Sequence, residues 1–364
     1  MLGIKILDRY IIRRFLLLFL LAMLTFLLIF YVVDVIEKID KFLKNSIPLR
    51  NVGAYYLYQL PFFVHIALPM SLLLASVFTI GKLGKNNELA AIKSSGISLY
   101  RVSLPLLFLG VLISAASFFF EDALVIPASR KRVEMEQNEM KGRRQATQQI
   151  FGNIMHQDSP ECNIVIARFS TKNNIAKSVT VQYSQNHSLV RRIDVPEMTW
   201  LPEQKKWQLK NFKIREFDSE DNETVSPIIP DSLFTFNLDP GDIIQTTIKP
   251  ETMRYRELAH FIRRMQESGN DPRKWQVDLN FKIAFSVTNL IVILFGIPLA
   301  AMKQKKGISF GAGMSLGIIF IYYGFIKFGQ VMGYKAILPP AFSVWLGNIV
   351  FLFGGGYLFY KIRQ

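Results

Sequence analysis

The sequence predicts a membrane α-helical protein with six spans and an inserted all-β domain. Three observations lead there. Half of the 364 residues are hydrophobic, and 30 of them are phenylalanine. The apolar residues gather into six stretches of about the 18–20 residues that a helix needs to cross a bilayer core. Between the third and fourth stretches hydropathy collapses, and short β-branched and aromatic runs take over.

The spans follow in order. Phe15–Val33 is apolar apart from Thr25. It is longer than a signal-peptide core and no small-residue cleavage site follows it, so it reads as an uncleaved first span. Leu57–Ile80 is the second, interrupted by Pro61 and Pro69 and carrying His65, and Val102–Phe120 is the third. Ile283–Met302, Ile308–Val331 and Ile337–Tyr360 complete the set. The organisation is therefore residues 1–120 with three spans, a polar domain at 121–277, and residues 278–364 with three more.

Charge orients the chain. Lys plus Arg number 43 against 28 Asp plus Glu, a formal balance of +15. Lys5, Arg9, Arg13 and Arg14 precede the first span, and Lys82, Lys85, Lys93 and Arg101 flank the second connection against Glu88 alone. Lys303, Lys305 and Lys306 fill the fourth-to-fifth connection, and Lys361 and Arg363 end the chain. Six spans place all four segments on one side, which the positive-inside rule makes cytoplasmic. Both termini are then inside and the large domain outside. Basic residues beside spans are orientation and lipid signals before they are nucleic-acid signals, so no nucleic-acid partner is read.

The outside domain starts with a polar, helix-compatible stretch, Glu121–Gln149. Strands follow at Asn163–Ser170, Ser178–Tyr183, Leu189–Val195 and Trp207–Phe217, with shorter candidates at Phe234–Phe236 and Ile243–Thr247. In the fourth, the apolar positions shift from 207 and 209 to 212 and 214, which suggests a bulge. Many short strands favour a sandwich or jelly-roll. A helix over Tyr255–Glu267 leads back to the membrane.

Catalytic and metal motifs are missing from the sequence. Gly81-Lys-Leu-Gly-Lys-Asn lacks Walker A spacing, and there is no H-E-x-x-H, C-x-x-C or G-x-S-x-G. The lone Cys162 has no partner in the chain, and His65, His156, His187 and His260 are scattered. Each lone histidine is more simply a hydrogen-bonded filler than a ligand. No metal or cofactor is expected in this chain, and it is not expected to be an enzyme.

Two segments carry functional signal. Residues 86–97 read as a short helix that Asn86 or Asn87 can cap, Glu88 complements and Gly96 ends. From pattern alone it is equally a groove-binding helix or an interfacial connector. Lys38, Lys41 and Lys44 recur every three residues after the first span, close to one helix face. Ammonium groups there can pair with lipid phosphates. Asp34, Glu37 and Asp40 beside them favour the alternative, a solvated or phospholipid-contacting rim.

Leu7-Asp-Arg-Tyr, the Asn87-Glu-Leu-Ala-Ala-Ile-Lys-Ser-Ser-Gly loop and Trp207-Gln-Leu-Lys-Asn resemble one family. So do Lys282-Ile-Ala-Phe, Gly296-Ile-Pro-Leu-Ala, Tyr322-Tyr, Leu338-Pro-Pro and Trp345-Leu-Gly-Asn. With the three–domain–three layout, they resemble the lipopolysaccharide-export permeases LptF/LptG (YjgP/YjgQ). The opening motif leans toward the G type, with F or G membership left open. Ser286 departs from the pattern, where many relatives carry proline.

The resemblance implies the permease part of an ABC transporter in the bacterial inner membrane. It extracts lipopolysaccharide from the outer leaflet and passes it to a periplasmic β-jelly-roll bridge. The implied partners are a cytoplasmic LptB-like ATPase dimer holding the ATP-Mg, a second LptF/LptG-type subunit and LptC/LptA-like bridge proteins. The short helix becomes the ATPase-coupling helix, with Glu88 in the ATPase groove and Leu89, Ala91, Ile92 and Gly96 around it. The basic group Lys38, Lys41 and Lys44 becomes the substrate-phosphate site. Phe26, Phe30, Tyr31, Phe320 and Tyr323 become wall residues of an acyl cavity gated by the first and fifth spans. In the fifth span, Gly311, Gly313, Gly317 and Gly324 permit close helix contact. The alternative class is a mechanotransmitting ABC subunit that carries no substrate, typically with four spans. An ion-coupled transporter would want paired acids within the spans, and none is read.

Overall fold

A computed structural model describes residues 6–136, 150–159, 161–170, 173–185, 188–217, 223–241, 243, 252–267, 271–302 and 308–362. The chain forms two compact units, Met1–Arg132 with Arg273–Gln364, and Val133–Pro272. The expected strand at Ile243–Thr247, the end of the polar stretch at 137–149 and the Lys303–Lys306 connection fall wholly or mostly outside the described residues.

Among the described residues, the first unit is a helical bundle with six helices long and apolar enough to span a membrane. Its elements begin, in order, with α1 Ile6–Lys44, α2 Leu49–Lys85, the short α3 Glu88–Ser94, and α4 Leu99–Phe120, which continues through a π-helical turn Glu121–Val125 into α5 Ile126–Met135. After the inserted unit, which ends with α6 Tyr255–Glu267, come α7 Arg273–Met302, α8 Ile308–Tyr334 and α9 Pro340–Ile362. The helices outrun their apolar stretches. With 39 residues, α1 is about 58 Å long at 1.5 Å per residue, nearly twice a hydrocarbon core. Similarly, α4 runs through the π turn into α5, so the bundle extends to Arg132 although hydropathy falls at Glu121. Pro61 and Pro69 leave α2 unbroken, with Pro69 buried against neighbouring helices. At Ser286 α7 is continuous, and the Ser286 hydroxyl donates to the Lys282 carbonyl.

Helices α2 and α7 form the centre. Onto α2 pack α1, α7 and α8, and onto α7 pack α4, α8 and α9. Leu72, Leu73, Ile80, Leu106, Ile293 and Ile297 are buried there. A polar clasp closes the last three helices. The Tyr322 hydroxyl donates to Asn348 Oδ1 and lies within hydrogen-bond distance of the Thr288 hydroxyl at 3.0 Å, and Asn348 Nδ2 donates to the Ala284 carbonyl at 2.8 Å. In a low-dielectric interior such a fully paired network fixes helix register. Close approaches are set by Gly296 against Ser76 and Leu73, Gly329 against the Ser343 carbonyl, and Gly333 against Ser343 and Val277.

Among the described residues, the inserted unit holds one curled antiparallel sheet of eight strands. Five are β1 Ile150–Ser159, β2 Cys162–Ser170, β3 Ile175–Gln185, β4 Ser188–Leu201 and β5 Lys206–Lys210, paired in sequence order. Then β6 Lys213–Phe217 pairs with β4, β7 Glu223–Val225 with β6, and β8 Ser232–Phe234 with β5. Trp207, Phe169, Ile164, Val181 and Leu209 are fully buried in its core, and Trp207 Nε1 donates to the Leu238 carbonyl at 2.7 Å.

The suspected bulge has a different form. Asp194↔Lys213 and Glu197↔Lys210 lie on either side of Asn211 in the same register, so no residue is inserted. Instead Asn211 has φ 49, and the buried side chains pass from Leu209 to Phe212. The same step occurs in β4 from Val195 to Met198, in β3 from Ala176 to Val179 across Ser178 (φ 52), and in β2 from Ile166 to Phe169. The registers align Ala167, Ser178, Pro196 and Asn211 in one transverse row. Alternation reverses at that crease in β2, β3, β4 and the β5–β6 segment, which keeps the core on one face while the strands turn.

Candidate functional site

The connection between α2 and α4 is built on the bundle. Leu89 is buried in the main core, Ile92 packs against it, and Leu99 begins α4 inside it. The root of α3 is therefore fixed, while Ala90, Ala91, Lys93, Ser94, Ser95 and Gly96 are exposed. Gly96 ends the helix at φ 80, a conformation that glycine adopts without strain. The expected asparagine cap is not made. Asn87 has φ 59 and no side-chain cap bond, and Asn86 Nδ2 donates instead to Glu88 Oε1 at 2.8 Å.

Glu88 is the centre of a cluster that sequence reasoning missed. Its carboxylate accepts from the Tyr10 hydroxyl at 2.7 Å and from Arg14 Nη1 at 2.9 Å, and Arg14 also donates to Tyr10 at 2.6 Å. Partial desolvation raises the Glu88 pKa, but hydrogen bonds from Asn86, Tyr10 and Arg14 outweigh it and hold the carboxyl below its ordinary range. Two residues before Tyr10, Asp8 accepts from Arg101 Nη2 at 2.7 Å. Thus the opening Leu7-Asp-Arg-Tyr motif ties α1 to both sides of α3. Arg9, Arg13, Lys82, Lys85 and Lys93 are exposed, so the chain around the α3 end is rich in unburied positive charge.

The three lysines on α1 separate. Lys38 is largely covered, and its ammonium donates to Asp34 Oδ1 and the Tyr55 hydroxyl, both at 2.6 Å. It also lies 5.0 Å from the Tyr55 ring centroid. Lys41 and Lys44 are exposed. The helix spacing is as read, but Asp34 and Tyr55 already occupy the first ammonium.

The aromatic set divides too. Phe26 is buried against Met23 and Ala67, and Phe30 packs on Phe63 at 5.8 Å between centroids. Tyr31 meets Phe63 at 5.1 Å and donates to the Tyr56 carbonyl. Tyr323 donates to the Ile66 carbonyl at 3.1 Å. These four fasten α1 and α8 to α2. Phe320 is 75% exposed. It stands on a face of α8 with Gly313, Gly317 and Gly324, where an added Cβ would meet nothing within 4 Å. Those three glycines make no close contact among the described residues, whereas Gly311 approaches Val77 on α2.

Among the described residues no three His, Cys, Asp or Glu side chains assemble as a metal site.

Comparison with known proteins adds a family. The model described as "Lipopolysaccharide export system permease LptF/LptG" matches residues 9–361. The chain is 21% identical over 330 residues to the lipopolysaccharide export system permease protein LptG of Escherichia coli K12, covering 86% of this chain and 87% of that protein. It is 16% identical over 363 residues to the protein of the same name from Haemophilus influenzae, covering 96% of each.

Proposed function

This chain belongs to the LptF/LptG family of lipopolysaccharide export permeases, and from that premise we propose that it is the membrane subunit through which a separate ATPase drives lipopolysaccharide out of the inner membrane. It is a multi-pass membrane protein and a permease component of a transport system. The observation that carries the reading is α3, with its root sunk in the bundle at Leu89 and its small-residue face bare. A helix held that rigidly passes on a push from whatever grips it, and Ala90, Ala91, Ser94 and Ser95 are narrow enough to enter a groove. The sequence carries no Walker A motif, so the nucleotide belongs to the partner. Glu88 engages that partner's groove, with Leu89, Ile92 and Gly96 setting the helix's position.

A second LptF/LptG-type subunit faces α1 and α8. The open strip Gly313, Gly317 and Gly324 supports this, because small residues let helix backbones approach closely in lipid. The lipid's acyl chains lie between the two subunits, bounded by α1 and α8, with Phe320 at the wall. Lys41 and Lys44 meet the phosphates, and Lys38 orders the same helix end through Asp34 and Tyr55. The β-domain passes the lipid to LptC/LptA-like bridge proteins on the periplasmic side. Six candidate spans favour this reading over a four-span mechanotransmitting subunit.

The test is co-expression with candidate cytoplasmic ATPases, purification in detergent and native mass measurement. Two ATPase chains with two permease chains are expected, and lipid release from vesicles then requires ATP. A purified chain that releases lipopolysaccharide with no ATPase present overturns the proposal.

A further inference from the structure

Apart from the residues above, a group of ionisable side chains among the described residues is largely covered inside the bundle. Glu121 opens the π-helical turn after α4, Lys282 lies on α7 and His65 on α2. Lys282 Nζ donates to Glu121 Oε1 at 2.7 Å, and His65 Nε2 is 3.7 Å from Glu121 Oε2. The three side chains are only 7%, 15% and 9% exposed for Lys282, Glu121 and His65. The His65 ring rests on Phe285 of α7, 4.9 Å between centroids. One carboxylate at the end of α4 thus meets groups from two other helices, α2 and α7.

Stability alone does not explain such a cluster. Paired charges in a dry interior barely offset their desolvation, and apolar residues of equal volume serve as well. A fixed geometry is what the pairing adds. The π turn is informative here, because such turns are rare and concentrate at functional positions. His65 is twenty residues from Lys85 at the end of α2, and Glu121 twenty from Arg101 at the start of α4. At 1.5 Å per residue both intervals are about 30 Å. Helices α2 and α4 are therefore joined at one end through α3, while at the other Glu121 ion-pairs with Lys282 of α7 and lies beside His65 of α2, 3.7 Å away.

We infer that Glu121 is a positioning residue for transport: it couples the far ends of α2, α4 and α7, so that movement of α3 reaches the π turn undiminished. The inference rests on the proposed role of α3 as the docking element.

The experiment separates the two. Spin labels at Ala90 on α3 and Leu124 on the π turn, both exposed, report their distance in detergent without any partner. The parent is expected to give one narrow distribution. Glu121→Gln is expected to at least double its width, and the charge exchange Glu121→Lys with Lys282→Glu to restore it. With the ATPase bound, Glu121→Gln is expected to lose most of the lipid released per ATP while keeping the ATPase rate. An apolar pair, Glu121→Leu with Lys282→Met, distinguishes positioning from folding. It should melt within about 3 °C of the parent yet remain broad and uncoupled. Parental width and parental release ratio in Glu121→Gln or in the apolar pair overturn the inference. Broadening in Glu121→Gln, in a protein whose parent releases no lipid with any ATPase, leaves the joint standing and removes the transport reading.

Discussion

Replacing Glu88 by alanine separates the folding role of this side chain from its docking role. In the free chain the carboxylate holds Tyr10, Arg14 and Asn86 through bonds of 2.7 to 2.9 Å. The side chain is 29% exposed and Arg14 13% exposed, so water screens the pair. Exposed ion pairs of this kind contribute about 0.2–1 kcal/mol. For a chain of 364 residues that lowers the melting temperature by only about 0.3–1.5 °C. In a partner's groove the same carboxylate is desolvated, and removing one member of a buried charged pair costs about 2–5 kcal/mol. At about 1.4 kcal/mol per decade, ATPase affinity falls by roughly 30-fold or more. The assay is a titration of purified ATPase onto the detergent-solubilised chain beside a melting curve. A large loss of affinity with a nearly unchanged melt is expected. Full affinity, or a collapse in stability of the same size, refutes the reasoning. The sign of the pH effect is also set. The Glu88 pKa is depressed in the folded chain, so its contribution is present above the unfolded value and is lost as pH falls through the folded one. Docking is therefore flat near neutrality and weakens only in acid.

Lys41→Ala with Lys44→Ala is expected to weaken lipopolysaccharide binding in a salt-sensitive manner with little change in the melt. Lys38→Ala is expected to lower stability by about 1–3 kcal/mol, because Asp34 loses its partner; equal binding losses from all three would remove the distinction. Phe320→Ala should leave stability within about 0.5 kcal/mol, since the ring is exposed, while slowing lipid release in the two-subunit complex. Ser178→Val favours strand by propensity but meets φ 52, so the sheet is expected to lose about 1–2 kcal/mol by denaturant titration; a stabilised domain would refute the crease. Gly329→Ala sets a Cβ against the Ser343 carbonyl and should loosen α8 from α9, read as a lower melt.

Much of the architecture was legible because it is written in local periodicity. Six apolar lengths correspond to six helices, and the helix at Tyr255–Glu267 has the expected limits. Strands β2, β3 and β4 announce themselves through β-branched alternation. Two strands do not. The edge strand β1 is interrupted by Gly152, Asn153, Gln157 and Asp158, and β7 has three exposed residues. The site was legible where neighbours along the chain define it, as in α3 and the lysine spacing. Asp34, four residues before Lys38, entered the sequence reading only as a sign of a solvated or phospholipid-contacting rim, and the structure pairs the two. Long-range pairs leave no such trace. Tyr10 and Glu88 are 78 residues apart, and Lys282 and Glu121 are 161 apart. Only folding shows that the Leu7-Asp-Arg-Tyr and Trp345-Leu-Gly-Asn motifs are fastenings: the first holds α1 to α3 and α4, the second lends Asn348 to Tyr322.

The transverse row through Ala167, Ser178, Pro196 and Asn211 constrains how this domain can change. Deleting one residue on a single side of the row would swap the inward and outward side chains of half a strand while its neighbours stayed put. A length change here is tolerated only if adjoining strands alter in step. The inserted domain therefore inherits its pleat as a block, and grafts or chimaeras should be cut at the hairpin tips, where one strand can be exchanged without unfolding the next.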